Sequence, residues 1–341
     1  MKFSEKDEEK IMELADHPGI FNLITNSIMP SIYGHEDIKQ ALAFQLFGGV
    51  SKPIDDELSI KGEINILVIS DPGMGMSNLL KGMSKLASRG LYIDCNKSEN
   101  ISTDSSLEDS SESSLICIDE LVIKPNSVKV LREALGKKNN NFNSKEDVLN
   151  ILKSRHPVFS TAKPKLGRFD RYKSFEDQIE LPVTVLSCFD LMYLVEDFPI
   201  WEQDEELAQH VLKFHQNPTI DSPIDTDLLK KYIAYAREIN PKPTDNAIQL
   251  IQEFYVKVRQ AAYNDYLPFL FNVRQLESVI KLSEANARIR LSEEVTTFDV
   301  EKIIEFYHKC LRTVGFIPEL DEITNPPKDL TTQMIIDNYN Y

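Results

Sequence analysis

The chain is short of positive charge. Its 38 Lys and Arg stand against 54 Asp and Glu over 341 residues, a formal net charge of −16. A field of that sign repels a polyanion, so DNA contact falls to a local basic element or to a partner that supplies the cations. Long apolar runs are missing too: none approaches the roughly 20 residues needed to cross a bilayer, so no membrane contact is expected. The charged start, residues 1–16, does not read as a secretory signal. Only four cysteines occur, Cys95, Cys117, Cys188 and Cys310, with no Cys-x-x-Cys among them. That excludes a disulfide framework and the usual thiolate metal spacing; Cys95 and Cys117, each after an apolar run, read as buried reduced residues of an intracellular protein. His210 and His215, five apart, do not share a helix face and give no metal site.

Two further absences fall on one motif. Within the stretch 64–69, residues 66–69 form a continuous apolar run, the mark of a buried parallel strand. The run breaks into Asp71-Pro72-Gly73-Met74-Gly75-Met76-Ser77, and Asn78, Leu79 and Leu80 continue as an amphipathic helix. Strand, glycine turn and helix make a P-loop, whose amide N–H groups and helix N-terminus cradle phosphates. Yet Ser70 stands where the pattern has its first Gly, and Met76 stands where it has its Lys. Residues Asp71 through Asn78 are the candidate nucleotide contacts, in a cradle that lacks its cation.

A second apolar strand, 115–118, ends on Asp119 and Glu120. Behind a P-loop this pair has a defined chemistry: Asp119 and the Ser77 hydroxyl hold Mg²⁺, and Glu120 polarises the attacking water. The plainer alternative is two carboxylates that cap a strand end. Short strands at 91–93, 158–161 and 191–195 alternate with helical stretches and imply a parallel sheet covered by helices. From about residue 204 strands disappear, and helices are expected over 205–215, 227–237, 245–263, 273–290 and 299–312. Asn272 with Gln275 three residues on is a capping box, and Val300, Ile303, Ile304, Tyr307 and Leu311 form a helical stripe. The Ser- and acid-rich stretch 97–114 reads as a solvated loop, 136–145 as a polar basic excursion, and 323–341 carries no packing signal.

Several strings together resemble one family. Ser31-Ile32-Tyr33-Gly34-His35-Glu36-Asp37-Ile38-Lys39, Leu46-Phe47-Gly48-Gly49-Val50 and Ser70-Asp71-Pro72-Gly73 resemble the ATPase module of the mini-chromosome-maintenance (MCM) helicases. So do Gly167-Arg168-Phe169-Asp170-Arg171-Tyr172, Leu186-Ser187-Cys188-Phe189-Asp190-Leu191 and Val273-Arg274-Gln275-Leu276-Glu277-Ser278. The likeness runs over about residues 10–313. It implies an α/β fold: an AAA+ P-loop NTPase core, a parallel sheet in an αβα sandwich, followed by a small all-helical lid. The expected division is a core over 1–203 with an N-terminal helix in 1–30, a lid over 204–315 and a tail over 316–341. It also implies ATP and Mg²⁺ between neighbouring subunits of a ring, DNA in the channel, and an archaeal-type cytoplasm or a nucleus.

Carried onto this chain, the family pattern keeps Ser77, Asp119, Glu120 and the second sensor, Arg274, which acts on the neighbour's nucleotide. It loses the P-loop Lys to Met76, the first-sensor Asn to Lys163 and the arginine finger to Cys188. Lys137, Lys138 and Lys145 lie in the region of the DNA-contacting hairpin. The β-helix-β insert expected between the P-loop helix and the Asp-Glu strand is reduced to 97–114. The OB domain and winged helix of full-length members have no counterpart in these 341 residues. Weakened ATP and Mg²⁺ binding and a non-hydrolysing subunit that assembles with MCM-type partners, touching DNA weakly or indirectly, are the expectation. The alternatives are an active helicase with Lys163 as replacement cation, and a monomeric interaction module of AAA+ shape.

Overall fold

The computed structural model describes residues 3–53, 59–96, 114–125, 129, 131, 144–170, 172–173, 175–217, 222–264 and 272–314. Three helices, α1 (Glu5–Ala15), α2 (Ile20–Ser27) and α3 (Glu36–Phe47), lead to a small antiparallel ladder of β1 (Lys52–Pro53) and β2 (Ser59–Ile60). The main sheet follows: β3 (Ile66–Ser70), helix α4 (Met76–Leu86), β4 (Gly90–Asp94), β5 (Leu115–Asp119), helix α5 (Ser144–Leu152) and β6 (Val158–Ala162). Two single turns, α6 (Phe175–Gln178) and α7 (Val183–Leu186), precede its last strand, β7 (Leu191–Val195). All pairings within it are parallel, in the order β4-β5-β6-β3-β7.

Apolar residues run without a break along β3 because both faces are covered. Successive side chains point to opposite faces. Ile66 and Val68 pack with Leu42, Leu79 and Met83, while Leu67 and Ile69 pack with Ile151, Val185 and Phe189 on the other side. Each such side chain contributes about 1.5–3 kcal/mol by leaving water. The strand order reverses beside β3, which opens a crevice at the carboxyl ends of the strands, the usual ligand position in an open parallel sheet. Those ends carry Ser70, Asp119 and Ala162.

The remaining helices are α8 (Trp201–Gln216), α9 (Thr226–Ala236), α10 (Asp245–Asn264), α11 (Val273–Ile289) and α12 (Thr297–Thr313). A parallel two-residue bridge joins β8 (Lys242–Pro243) to β9 (Glu294–Val295), so the region expected to be purely helical carries a short strand pair. Two residues per strand leave no alternation for the sequence pattern to show. The expected N-terminal helix is two helices, parted at residues 16–19 around Pro18 and Gly19, and α8 begins at Trp201, across position 204. The Asn272–Gln275 capping box forms as expected: Asn272 Oδ1 accepts from Arg274 N at 2.9 Å and Gln275 Oε1 from Asn272 N at 2.9 Å. Residues 315–341, Lys137, Lys138 and nearly all of 97–114 lie outside the described residues. All four cysteines are free and buried, and burial pushes the Cys95 thiol up to about 12.

One polar face of α11 clamps the helices onto the base of the sheet. Ser278 Oγ donates to Asp190 Oδ1 at 2.6 Å, Lys281 pairs with the same carboxylate, and Asn65 N donates to Asp190 Oδ2 at 2.7 Å. Asn65 Nδ2 donates to the Leu152 carbonyl at 2.9 Å, and Asn65 Oδ1 accepts from Val158 N at 3.0 Å. Farther along α11, Glu284 accepts from Val50 N at 2.7 Å and pairs with Lys52 at 2.6 Å. Arg288 Nη1 donates to the carbonyls of Phe47, Gly48 and Gly49 at 2.8–3.1 Å. The spacing 278, 281, 284/285, 288 keeps these groups on one side of the helix.

Close backbone approach beside this clamp demands glycine: a Cβ on Gly62 would sit 2.2 Å from the Gly49 carbonyl oxygen. Gly62→Ala is expected to lower the unfolding free energy by about 1–3 kcal/mol in urea titration. A second expectation concerns pH. Asp7, whose carboxylate accepts from Lys231 at 2.6 Å and caps α1 through Ser4, is held down to about 2 by the Lys231 bond first and the Ser4 bonds next. A depressed folded value means that this anchor is complete above about 4 and is lost as pH falls toward 2. Protection of the α1 amides, taken relative to their intrinsic exchange rate at each pH, should therefore fall over that window in the wild type, while Asp7→Asn is poorly protected throughout.

Candidate nucleotide-binding site

The turn between β3 and α4 is built from two left-handed glycines, Gly73 (φ +92°) and Gly75 (φ +77°). A Cβ at Gly73 would meet nothing within 4 Å, so its cost there is conformational and not steric crowding. Among the described residues, none of the amide groups of Gly73, Met74, Gly75, Met76 and Ser77 has a hydrogen-bond acceptor. Converging free donors at a helix N-terminus are an anion cradle, and the residues present fit a polyphosphate. Residues 70–78 line a cavity of about 340 Å³ with Asp119, Glu120, Thr161, Ala162 and Lys163.

The structure thus brings together the P-loop, the two carboxylates and Lys163. Met76 enters differently. It is 6% exposed and belongs to the apolar core under α4, so its side chain brings no charge to the cleft that it helps to line. Asp71 also turns its carboxylate away: Oδ1 accepts from Phe169 N at 2.8 Å and Oδ2 from Asp197 N at 3.0 Å. Only its backbone stays with the loop. Ser77 and Asn78 are exposed on the first turn of α4.

Every oxygen of the two strand-end carboxylates has a partner. Asp119 Oδ2 accepts from the Tyr92 hydroxyl at 2.7 Å and Oδ1 from Thr161 Oγ1 at 3.0 Å. Burial first, and the Asp119 bond second, push the Tyr92 phenol well above its ordinary value. Glu120 pairs with Lys163 through Oε1 and accepts from Asn96 Nδ2 through Oε2. Its backbone takes the left-handed φ of +56°, and its N–H donates to Thr161 Oγ1 at 3.0 Å. A Mg²⁺ site draws on carboxylate oxygens in near-octahedral geometry. As the side chains stand, each oxygen of Asp119 and Glu120 already has one partner, so a divalent ion held here by Ser77 and Asp119 would share them with Tyr92 and Thr161 and sit beside the Lys163 ammonium.

Tyr92, Asn96 and Thr161 were not singled out by the sequence reading. Thr161 had a signal: it lies in the last residues of β6, two before Lys163. Tyr92 and Asn96 come from β4 and the turn after it, and only the pairing of β4 with β5 sets them beside Asp119.

The family positions assigned to a neighbour's site lie elsewhere. Arg274 does not line the cavity; its exposed guanidinium donates through Nη1 to the Ser187 carbonyl at 3.4 Å. The next residue, Cys188, is 5% exposed with its thiol donating to the Thr184 carbonyl at 3.4 Å. Positions 188 and 274 therefore share one edge, and only 274 reaches solvent. Lys145 is exposed on the first turn of α5, while Lys137 and Lys138 lie outside the described residues.

A strap formed by residues 31–39 flanks the P-loop. His35 Nε2 meets the Met74 carbonyl at 3.0 Å, and burial lowers the imidazole's affinity for a second proton. Lys39 Nζ donates to the Ile32 carbonyl at 2.7 Å, the Tyr33 hydroxyl bonds Glu206, and His210 Nε2 meets the Ser31 carbonyl at 3.2 Å.

Comparison with known proteins agrees with this geometry. The model of the MCM P-loop domain matches residues 7–114 and 110–215, and that of the MCM AAA-lid domain matches residues 227–311. The minichromosome maintenance protein MCM of Saccharolobus solfataricus is 36% identical over 97% of this chain and 52% of its own length. DNA replication licensing factor MCM5 of Arabidopsis thaliana is 33% identical over 89% of the chain and 46% of its own. DNA helicase MCM8 of Homo sapiens is 32% identical over 89% and 43%. The chain spans about half the length of these relatives. With both the P-loop and lid models matched along most of its length, it belongs to the MCM family of proteins related to replicative DNA helicases.

Proposed function

We propose that this chain is an MCM-type subunit that holds a nucleoside triphosphate without turning it over, and that works by assembling with other MCM-type subunits. The observation that carries the reading is the P-loop position itself: Met76 is sunk in the core, so the phosphate cradle has no lysine of its own. As the side chains stand, the carboxylate that would polarise water is held by Lys163 and Asn96.

The energetics point the same way. A missing P-loop Lys removes a charge-assisted contact worth about 1.5–3 kcal/mol. The absence of an arginine finger at 188 lowers turnover in the adjoining site by about 10³–10⁵, or roughly 4–7 kcal/mol of barrier. A ring of identical copies combines both defects in every pocket. A mixed ring does not: this chain contributes Arg274 to a neighbour's nucleotide and occupies one position with an inert pocket. Its net charge of −16 leaves DNA contact to local groups such as Lys145 or to the partners.

The second reading, an active helicase, is favoured by the position of Lys163 in the cleft. One experiment separates the two. The full chain is mixed at micromolar concentration with an active MCM, and sedimentation and phosphate release are followed. Co-assembly, a changed ATPase rate of the active partner, loss of that change with Arg274→Ala, and no release by the chain alone are expected. DNA-stimulated release by the chain alone, abolished by Glu120→Gln and by Lys163→Ala, establishes the helicase reading instead. Failure to co-assemble, with a monomer throughout, sinks the subunit reading.

A further inference from the structure

The charge balance of the cleft has a consequence of its own. Among the described residues that line it, Lys163 is the one cation, facing Asp119 and Glu120. The third carboxylate nearby, Asp71, faces Phe169, Asp197 and the Arg168 guanidinium (3.8 Å), away from the phosphate cradle. Both oxygens of Asp119 are held from within by Tyr92 and Thr161. A divalent ion entering here shares Asp119 with those hydroxyls and competes with Lys163 for Glu120. A polyphosphate makes no demand on Asp119. It needs only the free amides of residues 73–77 and one mobile cation.

Lys163 meets that description. It follows Ala162 at the very end of β6, its side chain is about half exposed, and its ammonium is anchored by Glu120 alone among the described residues. Glu120 keeps Asn96 as a second partner and does not become an orphan when the lysine leaves. A terminal phosphate of charge near −2 outcompetes one carboxylate for that ammonium.

We infer that Lys163 is an intramolecular counter-cation that replaces the P-loop lysine and the divalent metal together, so that the pocket takes a metal-free nucleoside triphosphate and releases Glu120 from its ion pair on binding. This rests on the nucleotide-holding reading and adds the form of the ligand. It also fixes the order of preference: triphosphate above diphosphate, because only the former carries the phosphate that reaches Lys163. Free ATP is preferred to its Mg²⁺ complex, because the metal masks the charge that Lys163 reads.

The test is calorimetry on the full chain with a non-hydrolysable ATP analogue and with ADP, each in EDTA and in Mg²⁺. The analogue should bind in EDTA at least as tightly as in Mg²⁺, with ADP about tenfold weaker. Lys163→Ala should lose about 10- to 100-fold for the analogue and bring it level with ADP. Lys163→Arg should retain most of the affinity. Lys163→Gln serves in place of Ala if thermal melting shows the latter unfolded. Binding that requires Mg²⁺ overturns the inference and leaves nucleotide holding intact. Undiminished binding by the Ala or Gln variant in EDTA overturns it as well. No binding of either nucleotide in either buffer removes both readings together.

Discussion

Asp190 holds the molecule together. One buried carboxylate takes Ser278 and Lys281 from α11 on one oxygen and the Asn65 amide on the other. Through Asn65 the same knot reaches the starts of β3 and β6 and the carbonyls of Leu152 and Cys188. A charge in such a place is tolerable because both oxygens are answered and one answer is a cation; removing one partner of a buried pair typically costs about 3–5 kcal/mol. The knot lies at the amino ends of the strands. By fixing their register there, it decides which residues emerge together at the opposite ends. The phosphate cradle, Asp119–Glu120 and Lys163 face one cleft because their strands leave a common base.

Shape and charge have separate supports in this fold. The turn at 71–77 is held by the strand before it, the helix after it, Asp71's bonds to Phe169 and Asp197, and His35 against Met74. None of these polar bonds involves the side chain at 76. A methionine there is absorbed by the core, where a flexible apolar chain fills space readily; a lysine at the same position has to send its ammonium into the cleft. The methionine thus adds to the packing under α4, and no charge reaches the cleft from this position. Cys188 is parallel. It is small, buried and bonded within its own turn, so the edge around Arg274 is preserved while the residue itself faces inward.

The architecture was largely legible in the sequence because its strands are buried on both faces and its helices are amphipathic. The strand-turn-helix at 66–86 and the Asp-Glu strand needed only local pattern. The roles of Met76 and Asp71 were not legible to the same degree. An alignment position says which residue stands in the pattern, but the direction of a side chain depends on what packs against it. Tyr92 and Asn96 escaped because nothing local ties them to Asp119 and Glu120; the tie is the β4–β5 pairing. The clamp of Ser278, Lys281, Glu284 and Arg288 escaped for another reason. On a sequence it is a row of polar residues, which reads as a solvated face, and only tertiary burial reveals it as an interior one.

Helix α8 stands apart from all this. It buries no residue completely, and Trp201 at its first turn is 81% exposed. Its described attachments are the polar contacts of Glu206 and His210 with Tyr33 and Ser31. Those residues belong to the strap that His35 fastens to the P-loop carbonyl of Met74. An element with so little apolar anchorage opens at far lower free energy than the core does. The rim of the phosphate cradle is accordingly braced by a helix with no buried side chain of its own, and an indole at that helix's first turn stands in solvent as its natural reporter.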